Sequence, residues 1–221
     1  MTVKEKYFKP DNFKSKSSEF LEYAKSFYGK RNFDFAPQSS ALIVLDMQDY
    51  FLLESSHAYI PSAPAIIPPL NLLINQYFSH NLPVIFTQNI NTSQNSQMMS
   101  KWWKDLITRG SRYSAISKDI EKEKGIVISK SQYDAFYETK LEDILKEKQV
   151  KQLVITGVMT HLCCETTTRS AFVRGYEVFF PVSGTATYNE KFHLASLANL
   201  SHGFAVPVVM EDLIKIFNKY N

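Results

Sequence analysis

Three residues of complementary chemistry each follow a short apolar run in this chain: Asp46 after Ala41–Leu45, Lys130 after Ile126–Ile128 and Ser129, and Cys163 shortly after Leu153–Thr156. A carboxylate can take a thiol's proton, and a lysine beside both stabilises either anion. The stretch LVITGVMTHLCCETTTRSAFVRG, residues 153–175, reads as a strand, a tight turn at Gly157 and a helix. Thr160 suits an N-cap, which would set Cys163 in the first helical turn, where unpaired amides and the positive dipole end favour an anion. This placement predicts a thiol that ionises below its ordinary value of about 8.5. Cys164 projects about 100° away from Cys163 on a helix and reads as packing. Taken singly, each of the three has an ordinary explanation: a packed apolar cysteine, a capping or solvated aspartate, a surface lysine. Their coincidence at the ends of buried runs is what points to nucleophilic catalysis.

The elements that must deliver these residues alternate. Strands are predicted at 41–45, 83–87, 126–128, 153–156, 176–180 and 205–209. Helical segments are predicted at about 65–80, from Thr139, after Thr160, from Asn189 to about His202, and at the C-terminus. That alternation predicts an α/β fold, a doubly wound six-stranded parallel sheet with helices on both faces in a three-layer αβα arrangement. Such a sheet places its site outside the carboxyl ends of its strands, where strand order reverses. Between the second and third strands a long excursion carries both tryptophans, Trp102 and Trp103. Aromatics on so long a connection predict either a lid or core packing.

Composition narrows the class. The chain has 221 residues, 44% of them hydrophobic, enough for one large core. Residues 1–35 hold eight Lys or Arg against five Asp or Glu and so account for the whole net charge of +3. The balanced remainder excludes the basic stripe of a nucleic-acid binder. Residues 1–35 are predicted to be an extension with one amphipathic helix, with Phe20, Leu21, Ala24, Phe27 and Tyr28 on its apolar face after a cap at Ser17 or Ser18. That face covers either its own domain or a subunit interface. Residues 36–221 are predicted to form the main domain. Two adjacent cysteines cannot staple distant parts of a chain, which predicts a reducing, cytoplasmic setting. The N-terminus lacks the apolar core of a signal peptide, and no apolar run reaches the roughly 18 residues of a membrane span.

The segments LIVLDMQDYF (42–51), PVIFTQ (83–88), IVISKSQYDAFYETKLEDIL (126–145) and VITGVMTHLCCETTTRSAFVRGYEV (154–178) resemble those of the isochorismatase-like cysteine hydrolases, relatives of nicotinamidases and N-carbamoylsarcosine amidohydrolases. The resemblance covers about Ala41 to Leu213. It implies Asp46 as base, Lys130 as electrostatic partner and Cys163 as nucleophile, a cis peptide between Val158 and Met159, and an oxyanion hole from the backbone amides of Met159 and Cys163. It also implies a small-molecule substrate and a homo-oligomer, a dimer or tetramer. Gln48, Phe51, Trp102, Trp103 and Tyr133 are the candidate substrate contacts. Nicotinamidases hold a metal through an Asp and two His, with an Asp-x-His after the second strand. Here Asn89 and Asn91 stand in that stretch and His57 alone is left, so no metal and no cofactor are expected, and nicotinamide is disfavoured as substrate. The expected reaction is cleavage of a C–N bond in a small amide, ureide or carbamoyl compound through a Cys163 thioester. The alternatives are a thiol-independent vinyl ether hydrolase and a non-catalytic relative.

Overall fold

The computed structural model describes residues 3–103 and 105–219. Its sheet is parallel throughout and runs β3 (Ile126–Lys130), β2 (Val84–Asn89), β1 (Ser40–Leu45), β4 (Gln152–Val158), β5 (Glu177–Pro181), β7 (Val206–Val208). Strand numbers rise outward on both sides of β1, so the reversal of order lies between β1 and β4. β1 and β4 are buried along their whole lengths, which explains their unbroken apolar runs. β3 is one of the two edge strands, and its burial alternates accordingly. The six predicted strands are present. A seventh, β6 (Thr185–Ala186), pairs with the end of β4 and is too short to show any periodicity.

Helices surround the sheet. α3 (Ala63–Ser79) packs on α8 (Met210–Phe217), while α7 (Glu190–Gly203) packs on α1 (Phe13–Tyr28) and on α6 (Glu165–Val173). The short α2 (Asp49–Leu52), α4 (Met98–Trp102) and α5 (Leu141–Glu147) complete the set. The N-terminal helix begins at Phe13, ahead of the cap predicted at Ser17 or Ser18, because residues 9–12 already turn: Lys9 N donates to Asn12 Oδ1 and Lys16 N to Asn12 O. It buries Phe20 and Ala24 and leaves Phe27 exposed, so the covering face is narrower than predicted. Among the described residues no helix is long and apolar enough to cross a membrane.

Gly157 decides how the two central strands fit. Its φ is +106°, and a Cβ there would overlap the Leu45 carbonyl at the end of β1. Gly157→Ala combines backbone strain with a clash against main chain, so a loss of about 3 kcal/mol or more is expected in urea unfolding.

Candidate active site

β1, β3 and β4 end at the same edge of the sheet, and each delivers one group. Asp46 follows β1 with φ at +50°, a left-handed residue that turns the chain out of the strand. Lys130 is the last residue of β3. Cys163 lies five residues beyond β4, after a cis peptide between Val158 and Met159. Lys130 Nζ sits 2.7 Å from Asp46 Oδ2 and 3.3 Å from Cys163 Sγ, and its third donor meets Gln132 O at 2.9 Å. The ammonium is fully occupied and points nowhere else. The side chains of Lys130 and Asp46 are wholly buried.

Thr87 on β2 was not foreseen. Its hydroxyl donates to Asp46 Oδ1 at 2.6 Å and accepts from Asp46 N at 3.1 Å, fixing the carboxylate from the strand beside β1. Asp46 Oδ2 meets Lys130 Nζ and no other donor among the described residues. Its second lone pair is therefore available to the thiol proton.

The local structure around Cys163 differs from the sequence expectation in two ways. Thr160 does not cap a helix; residues Thr160–Cys164 form a π turn in which Cys164 N donates to Met159 O, and Thr160 Oγ1 points inward to Thr185 and His193. The thiol is also not depressed. Burial pushes it up to about 12, Lys130 pulls it down and the Asp46 carboxylate pushes it up again. Cys163 thus carries its proton at neutral pH, poised to lose it to Asp46 as bond formation proceeds. Lys130 behaves in the opposite sense: burial opposes its charge, but Asp46 and Cys163 outweigh this and hold the ammonium above its ordinary value. Iodoacetamide alkylation of Cys163, followed by peptide mass spectrometry, is expected to accelerate steadily with pH beyond about 8.5, the ordinary thiol value, without reaching a plateau there.

Cys163 opens onto a cavity of about 450 Å³ whose walls carry several aromatic side chains. Phe51, Trp102, Trp103 and Tyr133 line it, with Trp103 Nε1 donating to Tyr133 OH at 2.7 Å. Trp102 stands 73% exposed at the rim. The long excursion supplies this wall through Met99, Trp102, Trp103, Asp105, Leu106 and Ile107, held by bridges from Gln48 to Ile116 and from Asn91 to Thr108. Gln48 does not line the cavity. Its amide donates to Asn89 O and Ser114 O and accepts from Asn89 N, tying the exit of β1 to the exit of β2. Sequence reading missed Asn89 as a lining residue in its own right. It is buried, and its Oδ1 has no partner among the described residues.

The stretch that would hold a nicotinamidase-type metal is poorly suited to one. Asn89 and Asn91 offer neutral carboxamides, and Asn91 Nδ2 is engaged with Ser131 O at 2.8 Å. His57 is 61% exposed and pairs with Asp105 at 3.5 Å. Among the described residues no three His, Cys, Asp or Glu converge as metal ligands.

Residues 40–212 match the Isochorismatase domain. The chain belongs to the isochorismatase family. Nicotinamidase 3 of Arabidopsis thaliana is 36% identical over 191 residues, which is 84% of this chain and 92% of that protein. Among solved structures, a cysteine hydrolase from Pseudomonas syringae pv. phaseolicola superposes with a TM-score of 0.82 at 20% identity, covering 86% of this chain and 97% of that one. An N-carbamoylsarcosine amidase from Thermoplasma acidophilum superposes with a TM-score of 0.69 at 21% identity, covering 78% and 97%. The match shows an isochorismatase-family hydrolase whose family acts on small molecules.

Proposed function

We propose that this hydrolase cleaves the C–N bond of a small neutral amide, with an aromatic carboxamide such as nicotinamide as the foremost candidate, through a Cys163 thioester. The observation that carries the reading is Lys130 Nζ placed between Asp46 Oδ2 and Cys163 Sγ at 2.7 and 3.3 Å. Asp46 takes the thiol proton while sulfur bonds to the carbonyl carbon, and the carbonyl π pair moves to oxygen. The backbone amides of Met159 and Cys163 receive that oxyanion. On collapse the C–N bond breaks, Asp46 returns the proton to nitrogen, and ammonia leaves behind a thioester. Water, deprotonated by Asp46, then attacks the thioester carbonyl, the C–S bond breaks, Asp46 returns the proton to sulfur, and the carboxylic acid leaves. Lys130 keeps its proton throughout, holding the Asp46 carboxyl group and the sulfur together.

Nicotinamide, disfavoured on the missing metal ligands, returns as a candidate for two reasons. A relative at 36% identity carries the name nicotinamidase, and the aromatic cavity suits a flat ring. Asn89 Oδ1 supplies an unengaged acceptor for a substrate N–H. Asn89→Leu removes it in an otherwise buried place, and KM is expected to rise about 5- to 100-fold, the range for losing one buried hydrogen bond. Ammonia release from a panel of amides and ureides tests the reading. Turnover of a neutral amide supports it, and turnover confined to vinyl ethers overturns it.

The cytoplasmic setting, homo-oligomerisation and the division at residue 35 stay with this proposal as expectations.

A further inference from the structure

The first residues of the chain reach the back of the nucleophile turn. Tyr7 is buried against Phe8, Phe20 and the ring of His193. Its hydroxyl accepts from Thr187 N at 2.9 Å, so its own proton is free for His193 Nδ1, 3.3 Å away. His193 is fully buried, and its Nε2 lies 2.8 Å from Val182 O, an atom that can only accept. Nε2 therefore carries the ring proton, and in the neutral ring Nδ1 is an acceptor. Thr160 Oγ1 also approaches Nδ1, at 3.0 Å, and Thr185 Oγ1 at 3.0 Å. A single lone pair on Nδ1 faces two hydroxyl protons. With Tyr7 donating to it, Thr160 must send its proton to Thr185 on β6.

Thr160 directly follows Met159, the proposed oxyanion donor, and opens the π turn Thr160–Cys164 that carries Cys163. The same N-terminal segment fastens two cavity walls. Lys4 Nζ donates to His57 O and covers the ring of Tyr188, while Glu5 N donates to Tyr188 O at 2.7 Å. His57 and Tyr188 both line the cavity. Ser62 Oγ then joins Glu5 O to Phe8 N, at 3.2 and 3.1 Å, tying the segment to the start of α3.

We infer that Tyr7 is a positioning residue of the hydrolase, setting the nucleophile turn through His193 and Thr160, and that the N-terminal segment is part of the site and not a detachable appendage. This rests on the amidase reading only for its turnover measurement. Apolar packing alone would need a ring at position 7, which phenylalanine also supplies. The hydroxyl, by contrast, orients the proton chain and accepts from Thr187 N, and phenylalanine lacks both functions.

The test is Tyr7→Phe, assayed beside His193→Leu and His193→Gln. Tyr7→Phe is expected to lower kcat about 5- to 20-fold with KM within about twofold, which is the pattern of a misplaced reacting group. His193→Leu is expected to follow it. His193→Gln, which can donate to Val182 O and accept from Tyr7, is expected to retain at least about a third of kcat. Wild-type kcat in Tyr7→Phe and His193→Leu would overturn the inference, as would a loss in His193→Gln equal to that in His193→Leu. A second readout needs no substrate. The iodoacetamide alkylation rate of Cys163 is expected to change at least about threefold in Tyr7→Phe and to stay near wild type in His193→Gln. If wild type hydrolyses no amide, the amidase reading fails, yet the alkylation comparison still decides the positioning role. An unchanged alkylation rate in Tyr7→Phe would then overturn it.

Discussion

Cys163→Ala is expected to lower turnover of any amide substrate by about 10⁴-fold or more while leaving the fold in place. Triad members act as a unit, and removing a nucleophile forfeits almost the whole chemical advantage, leaving only binding and oxyanion stabilisation. The side chain is small and 4% exposed, and it sits over the cavity, not deep within the apolar core, so truncation opens little new space. The loss should therefore appear in ammonia release and hardly in the melting curve. Cys163→Ser is expected to fall nearly as far. A hydroxyl is harder to ionise than a thiol, and Asp46 would be a weaker match for it.

Lys130→Met is expected to abolish activity and, unlike the cysteine variant, to weaken the fold by about 3–5 kcal/mol. The methionine fills the space but leaves Asp46 buried without its counter-ion, and an uncompensated buried charge is among the costliest single defects. Thr87 still donates to Oδ1, but one hydroxyl does not replace an ammonium. Pairing the change with Asp46→Asn removes both charges. That double variant is expected to recover most of the stability in urea unfolding and none of the turnover, separating the structural role of the pair from its catalytic one. pH gives a further check on the same pair. Because the folded protein holds Lys130 above its ordinary value of 10.5, the stabilisation is fully present below that pH and is lost as pH rises beyond it. Lys130→Met, lacking the group, should lose that part of the alkaline decline.

The parts legible in the sequence were those carried by local pattern. Six apolar runs became six strands, and three residues at or shortly past the ends of three of them, Asp46, Lys130 and Cys163, met at one edge. Parallel strands buried on both faces read as unbroken apolar stretches, so their exits are marked by the first polar residue. Thr87 was hidden because its role depends on β2 lying beside β1, which no local window contains. Tyr188 was hidden for a similar reason, since it enters the cavity from a loop after a two-residue strand. The thiol's ionisation was misjudged from a helix start that is in fact a π turn. Burial, which acts only in the folded chain, outweighs the local field there. Gln48, a candidate substrate contact in the sequence, has its amide consumed by backbone groups of Asn89 and Ser114, partners that only the folded sheet brings to it.

The attack of sulfur on a carbonyl is tested most directly with an aldehyde in place of the amide, since addition can occur but no amine can leave. Pyridine-3-carboxaldehyde labelled with ¹³C at its carbonyl, saturating the wild-type protein, is expected to move its carbon signal from the trigonal to the tetrahedral region. In Cys163→Ala the same signal should stay where it is in buffer. A label that remains trigonal while the aldehyde occupies and inhibits the wild-type site would contradict covalent catalysis by Cys163.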